Sequence, residues 1–440
     1  MYSEGQPRSS LCFFYKKNVF LYMIKYYIII LLSLTSVINA SPIILKNANE
    51  LVGEHTEFTN QRTLLGNVIL QQKNVIVNSN SAIQYINYNR FLLNGNVIIT
   101  QDSLILKSEN ILYDGNTYIA TSDKKVTITD GTKKLIGNRG TYSTQTLIAN
   151  FYDNVVLEDD SLIVYANNII YNRETTECIA VGDVVVKSKK DNVFAIADTI
   201  FHIYNTNLTL AKSNSILFQI DTNENLTLDT LTIKSDSILA KRNEDLYYFY
   251  DNVEIIRSNL KAISQQGIYD NINEKIILFN PNQELNTHSI VWIDSTQLHA
   301  DSIEVILDNN KLNIIYSYQN CIAISQNDTN NSKRIDQLAG SEIILYINND
   351  TLDKIESIQN AKSLFFNNNN DEPDGVIESA AEKITILIKE NKADEIIYDI
   401  PTQSKYYPEQ YVYENEIKFY LDNFRKEHNK PMKPEIKIRE

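Results

Sequence analysis

The chain of 440 residues is poor in glycine, cysteine and tryptophan, of which it has 12, three and one. Scarce glycine leaves no phosphate-cradling loop, and neither GxSxG nor HExxH occurs. A disulfide framework is excluded by the number of cysteines, and we expect Cys178 and Cys321 to be small buried apolar residues. The five histidines lack the spacing of metal ligands. The sequence therefore predicts no enzyme activity, no cofactor and no metal site.

Basic residues are also fewer than acidic ones: the chain has 41 Lys and Arg and 55 Asp and Glu, which gives a net charge of −14. The first 40 residues hold a net charge of +3, so the chain without them stands at −17. A protein this acidic is a poor ligand for nucleic acid or for anionic membrane surfaces, because both repel it. We expect no nucleic-acid partner.

An apolar run near the start resembles a secretory leader. It begins after Lys25, contains Ile28 to Leu32, and ends at Ala40, a small residue where signal peptidase cuts. Met23 is a plausible true start because it gives a short basic region before the run. We interpret residues 1–40 as a signal peptide, with a retained membrane anchor as the competing interpretation. Export predicts a periplasmic location, with outer-membrane association as a further option.

The strongest pattern is a valine that returns every 29 residues, at Val68, Val97, Val126, Val155 and Val184. A fixed period of this size indicates one supersecondary unit stacked on copies of itself. Each valine opens a stretch with apolar first and third residues, which is the period of two of a strand with one buried face. Residues that tolerate positive φ precede most of these valines, as in Gly95-Asn96 and Asp153-Asn154, and predict a turn or bulge.

A second strand in each repeat carries a tyrosine at the same step, at Tyr113, Tyr142 and Tyr171. No repeat contains a helical stretch that could compete, so the pattern predicts an all-β protein. Past about residue 212 the step becomes irregular, and a second series runs through isoleucines at wider intervals. The isoleucines of this series are Ile238, Ile268, Ile303, Ile343 and Ile384.

We divide the chain into a leader at 1–40, a first β segment at 41–212, a second β segment with loop insertions at 213–400, and a charged tail at 401–440. The boundary near Ser213 is soft, because a continuous sheet could run through it. The tail from Tyr413 predicts a short amphipathic helix with Ile417, Leu421 and Phe424 on one face.

Several short motifs in order resemble the OstA/LptA family of lipopolysaccharide-transport proteins. They are Leu64-Leu65-Gly66-Asn67-Val68, Gly95-Asn96-Val97-Ile98-Ile99, Leu112-Tyr113-Asp114-Gly115 and Val181-Gly182-Asp183-Val184. Downstream, Trp292 to Asp301 and Asp336 to Gly340 are similar to longer OstA-like proteins. The resemblance implies a stacked antiparallel β-jellyroll, in which two sheets lean together as a V around an apolar interior.

What the resemblance implies for function is lipid binding in periplasmic lipopolysaccharide transport and outer-membrane assembly. The implied partners are lipopolysaccharide or lipid A, other jellyroll components that add strands end to end, and an outer-membrane translocon. We expect these residues to line the groove: Val97, Ile99, Val126, Ile128, Val155, Leu157, Val184, Val186, Tyr113, Tyr142 and Tyr171. Ordinary core packing explains the same apolar residues, and the tyrosines could equally form an internal ladder.

Two other classes of function stay open at this point. A secreted structural or adhesive β-solenoid would use the same repeat without carrying lipid. An enzyme on a β-helix scaffold would need acids or histidines converging on one face.

Overall fold

The computed structural model describes residues 41–55, 60–190, 192–222, 228–281, 288–309, 311–326, 331–369 and 372–434. The predicted leader, with its candidate start Met23, lies outside the described residues. No helix among those that are described is long and apolar enough to cross a membrane.

The described residues contain 28 strands. The first fourteen are β1 (Ile44–Asn47), β2 (Glu50–His55), β3 (Asn60–Gln72), β4 (Val75–Tyr85), β5 (Arg90–Gln101), β6 (Leu104–Asp114), β7 (Ile119–Ser122), β8 (Val126–Asp130), β9 (Lys133–Gly137), β10 (Arg139–Ser143), β11 (Ile148–Glu158), β12 (Leu162–Asn172), β13 (Glu177–Ser188) and β14 (Val193–Ile203). The others are β15 (Leu208–Thr222), β16 (Leu228–Lys241), β17 (Leu246–Arg257), β18 (Leu260–Asp270), β19 (Lys275–Phe279), β20 (Ser289–Ile293), β21 (Thr296–Ala300), β22 (Ser302–Asp308), β23 (Lys311–Ser325), β24 (Asp336–Asn348), β25 (Thr351–Asn369), β26 (Glu372–Lys389), β27 (Lys392–Tyr398) and β28 (Gln403–Tyr407). One short helix, α1 (Glu409–Val412), follows, and 3₁₀ turns lie at Ile86–Tyr88, Tyr204–Thr206 and Glu416–Phe419.

The chain forms two compact units. Unit 1 takes residues up to 102 together with 109–121 and 143–145, and unit 2 takes 103–108, 122–142 and everything from 146 onward. In unit 1, β3 pairs antiparallel with β1, β2 and β4, and β4 pairs with β5. In unit 2, antiparallel pairing runs in the same way from β8 and β9 through to β26, which pairs with β27 and β28. The predicted all-β antiparallel fold is confirmed.

Half of the long strands, β3, β5, β11, β13, β15, β17, β23 and β25, have a corner of two residues with positive φ in the middle. Corners lie at Gly66-Asn67, Gly95-Asn96, Asp153-Asn154, Gly182-Asp183, Ser213-Asn214, Asp251-Asn252, Gln319-Asn320 and Gln359-Asn360. The register between neighbouring strands shifts at these places, because two residues on one strand oppose one on the next. The bulge predicted before the repeating valine is thus confirmed before Val97, Val155 and Val184. Lys124 and Lys125 are the exception, since neither has a positive φ.

A corner divides its strand into two halves that carry different side chains. We call the half that begins at the repeating valine the valine half, for example Val97 to Gln101. The other half pairs with the neighbouring strand that carries the tyrosine, as Ala149 pairs with Tyr171, and we call this part of the sheet the tyrosine half. Burial alternates along both halves of β5 and β11, so one face of each half is turned inward. The repeat formed by β5 and β6 is therefore a strand with a corner followed by a strand without one, and this paired-half arrangement gives each unit the V that the resemblance implies.

The predicted boundary near Ser213 falls within β15, whose residues pair with β14 and with β16 on both sides of that corner. Division of the chain into two β segments at this point stays a prediction. In the second series, Ile238, Ile303, Ile343 and Ile384 are buried. Ile268 is only partly buried, since its neighbours Gly267 and Tyr269 occupy the inward positions instead.

The C-terminal tail packs on the sheet of unit 2. Val412 and Leu421 join a buried cluster with Ile322, Ile324 and Leu364, and Phe424 packs beside them. The helix lies earlier than predicted, at Glu409–Val412, and Ile417 is 59% exposed, so the predicted apolar stripe is wrong at that residue. The tail also hydrogen-bonds to a side chain of the sheet, because the Gln297 amide donates to the Glu427 carbonyl at 2.8 Å.

Candidate functional site: the apolar interior

All eleven residues predicted to line the groove face inward and are buried. Their exposed fractions run from 0% at Val97, Ile99, Val184 and Tyr113 to 9% at Val186. Thr100, next to Ile99, is only partly buried, as the alternation requires. Within each unit these residues therefore lie on the inward face of the sheet, and that face is packed with the chain's own side chains. Contact of any of them with lipid stays a prediction.

The valine halves of unit 2 form one continuous row of paired inward residues. In strand order the row is Leu106, Ile128, Leu135, Leu157, Val164, Val186, Ala195, Leu217, Ile233, Ile255, Ala262, Val291, Leu298, Ala323 and Leu338. Neighbouring strands lie about 4.8 Å apart, so the row is roughly 65 Å long. Every member is aliphatic. Such a surface attracts acyl chains without favouring one position along it.

The row changes character after Leu338. The next paired residues are Ser363, Ser379 and Ser404. Ser379 and Ser404 share a hydrogen bond of 2.9 Å between their hydroxyl oxygens, and Ser363 lies 3.3 Å from the Tyr398 hydroxyl. Ser363 and Ser379 are buried, so the apolar surface ends in hydroxyl groups at the C-terminal strands.

The tyrosine halves give a mixed row. In unit 2, Tyr171 pairs with Ala149 and Cys178, and Cys178 pairs with His202. Burial raises the pKa of Tyr171 to about 12, with a smaller contribution from the Asp130 carboxylate. Burial likewise raises the pKa of the Cys178 thiol to about 12. The two walls of the interior thus differ, one aliphatic and the other carrying polar tips.

Cys178 and Cys321 are both free and buried, which confirms their expected place in the core. Burial also raises the pKa of Cys321, to about 11, so neither thiol is a reactive one.

The ends of the two halves meet at a row of polar contacts opposite the corners. In unit 1, Gln72 at the end of a valine half donates to the carbonyl of Gly115 in the tyrosine-half turn, at 2.9 Å. Gln101 donates to the Thr144 carbonyl at 2.8 Å. In unit 2, Arg173 binds the Asp130 carboxylate at 2.9 Å. We call these contacts the links. Each joins residues 43 apart in the chain, and each lies 29 residues after the one before.

The buried hydroxyl of Tyr113 contacts two link residues from the interior. Its hydroxyl donates to Gln72 Oε1 and lies 3.3 Å from Thr144 Oγ1. Desolvation raises the pKa of Tyr113 and keeps its hydroxyl protonated. This contact favours the ladder interpretation of the tyrosines over direct lining, at least for this one.

Sequence reasoning missed the links. The 29-residue step contains them, since Gln72, Gln101, Asp130 and Asp159 each follow a repeating valine by four residues. Gly115, Thr144 and Arg173 keep the same step. The step could have shown both series, but which turns meet depends on the bend at each corner.

Aliphatic row, corners and links together define an all-β antiparallel repeat protein that encloses an apolar interior. Residues 40–189 match the family model of OstA-like proteins. No curated protein matches the chain.

Solved structures also match, among them LptH from Pseudomonas aeruginosa, described as the LptA homologous periplasmic component of the conserved lipopolysaccharide transport device. It is 14% identical, with a TM-score of 0.22, and the match covers 25% of this chain and 75% of that one.

Proposed function

We propose that the chain is a periplasmic lipid-binding protein of lipopolysaccharide transport and outer-membrane assembly, which holds acyl chains against the aliphatic row of its interior. The observation that carries the proposal is the row itself, from Leu106 to Leu338 without a polar member. Burying one methylene group is worth about 0.8 kcal/mol, so several acyl chains need no specific polar contact. The match of residues 40–189 to the family model of OstA-like proteins supports the same function.

Edge strands at both ends support partners that add strands end to end. Ile44, Leu51 and Val52 on β1 and β2 are about half exposed, as is Ile397 on β27. Apolar side chains on edge strands favour pairing with another sheet. We propose other jellyroll components and an outer-membrane translocon as those partners, with lipopolysaccharide or lipid A as the cargo.

Dense packing of the interior favours the second candidate, a secreted structural or adhesive β-solenoid that carries no lipid. Val97 and Ile99 are fully buried by the chain's own atoms. A structural protein needs nothing more than this. A lipid carrier must open.

A photo-cross-linking residue distinguishes the two in living cells. We expect adducts with lipopolysaccharide at Ile99 and Leu157, which face inward, and none at the matched neighbours Thr100 and Val156. If neither inward position labels lipid, the structural candidate replaces the transport one.

A further inference from the structure

The interior is closed on two opposite sides by different means. On one side the chain itself turns through the corner of each bent strand, so that side cannot part without unfolding. On the other side, side chains join the two halves within each unit, through Gln72 and Gln101 in unit 1 and through Asp130 and Arg173 in unit 2. In either unit, an opening along the links therefore keeps every strand pairing intact.

We propose that the links are a lateral gate, through which an acyl chain enters and leaves the interior sideways, between the ends of the valine halves and the ends of the tyrosine halves. The inference rests on the proposed function, because it assumes that the interior takes up lipid.

The chemistry of the links suits an opening that reverses. Gln72 and Gln101 are 2% and 4% exposed, so each buried amide must find its partner again when the halves close. Asp130 and Arg173 are 13% and 15% exposed, close enough to water for solvent to replace their contact. Arg173 also donates to the Ser103 hydroxyl at 2.9 Å, which fixes it across the same opening.

The fourth repeat has a different contact at the same place. Asp159 lies near Tyr204 of the facing turn, and burial, Cys178 and then this carboxylate raise the pKa of that phenol. The Lys133 ammonium lies 4.6 Å from the centre of the Tyr204 ring. The position four residues after the valine is thus polar at Gln72, Gln101, Asp130 and Asp159, although the residue type changes.

Passage along the row out of the C-terminal end is disfavoured. The row ends at Ser363 and Ser379, whose buried hydroxyls already bond to Tyr398 and Ser404. An acyl chain that slid past Leu338 would leave its apolar wall. Lateral passage needs no such step.

The test compares two cross-linked variants of the purified full chain. In the gate variant, Asp130→Cys and Arg173→Cys are joined by a short reducible thiol cross-linker across the opening. In the control, Glu158→Cys and Lys189→Cys are joined in the same way. That pair is also an acid and a base, 2.8 Å apart, but both lie along the valine-half edge. Cys12, the third cysteine of the chain, is replaced in both variants as Cys12→Ser so that it does not react with the cross-linker, and the buried Cys178 and Cys321 are kept.

Uptake is followed with cis-parinaric acid, a fatty acid that fluoresces in apolar surroundings. We expect the cross-linked gate variant to take up the probe at least about tenfold more slowly than the same sample after reduction, because the opening is tied shut. The control should bind at the same rate before and after reduction. Arg173→Met, which loosens one link without a cross-link, should speed uptake by about fivefold.

Equal rates in the cross-linked and reduced gate variant would overturn the gate and leave the proposed function standing. Slowing of the control by the same factor would also overturn it, since general stiffening would then be the cause. If the original chain takes up no probe at all, the proposed function fails, and the gate fails with it.

Discussion

The corner side and the link side of the interior are built from the same 29-residue step but behave as opposites. Corners are covalent, and their exposed polar side chains bond along the row, as where Asn252 donates to Asp236 at 2.9 Å. Links are non-covalent and largely buried, as at Gln101. The difference teaches that a repeat can fix one side of a cavity by backbone conformation and leave the other to side chains. Variants on the corner side should therefore change stability, and variants on the link side should change access.

The largest expected effect is in the apolar interior that both sides enclose. Ile99→Ala should lower the free energy of unfolding by about 2–5 kcal/mol, because it leaves a cavity at a fully buried position. The matched change Thr100→Ala, on the outward face of the same strand, should stay within about 0.5 kcal/mol. Chemical denaturation of both variants measures this. Equal losses would mean that the inward and outward faces of β5 are wrongly assigned.

A corner variant should come next. Gly95 has φ +75°, and a Cβ there would lie 2.7 Å from Asn80 Nδ2. Gly95→Val should therefore cost about 1–3 kcal/mol of stability through backbone strain and this close approach. Gly53→Ala is the control, since a Cβ there meets nothing within 4 Å. Lipid uptake should not become faster in Gly95→Val. Faster uptake would remove the contrast between the two sides.

The stability of the fold should also depend on pH, through His202. Burial, and then nearby Arg242, lowers the pKa of His202 to about 4. The unfolded chain takes up a proton near pH 6.5 and the folded chain only near 4, so stability is complete above pH 6.5 and falls as the pH drops between these values. His202→Gln should reduce that slope by about 1.4 kcal/mol per pH unit.

Melting curves between pH 7 and 5 check the effect of His202→Gln. The exposed His428 serves as the control, as His428→Gln. An unchanged slope in His202→Gln would show that His202 is protonated in the folded chain.

The smallest effect on stability should come from a link. Arg173→Met removes the contacts to Asp130 and Ser103, and partial exposure of this ion pair limits the loss to about 1 kcal/mol or less. Thermal melts at low and high salt check it, since salt should narrow the difference between variant and original chain. A loss as large as that of Ile99→Ala would make the link part of the rigid core and not a gate.

Much of the fold can be predicted from the sequence because it depends on two short-range patterns, the apolar alternation within a strand and the turn residues at a corner. Alternation of apolar residues after Val97 or Val155 specifies which face is buried, and Gly95-Asn96 specifies where the strand bends. Neither property depends on distant parts of the chain.

The rest depends on contacts that no local pattern contains. Lys124 and Lys125 stand at a corner position without the corner conformation. Ile268 loses the inward place to Tyr269, because an irregular spacing shifts the alternation by one residue. Leu421 is buried only because the tail crosses a sheet far earlier in the chain, where its amide donates to Gln337 at 2.9 Å.

Hydrogen–deuterium exchange, followed peptide by peptide with and without cis-parinaric acid, tests the central claim most directly. The account predicts that the fatty acid speeds exchange in turn peptides at the links, around residues 101–103 and 144–147, and leaves the corner peptides around 95–96 and 153–154 unchanged. Faster exchange at the corners, or an equal change on both sides, would contradict an interior that is hinged at its corners and opened at its links.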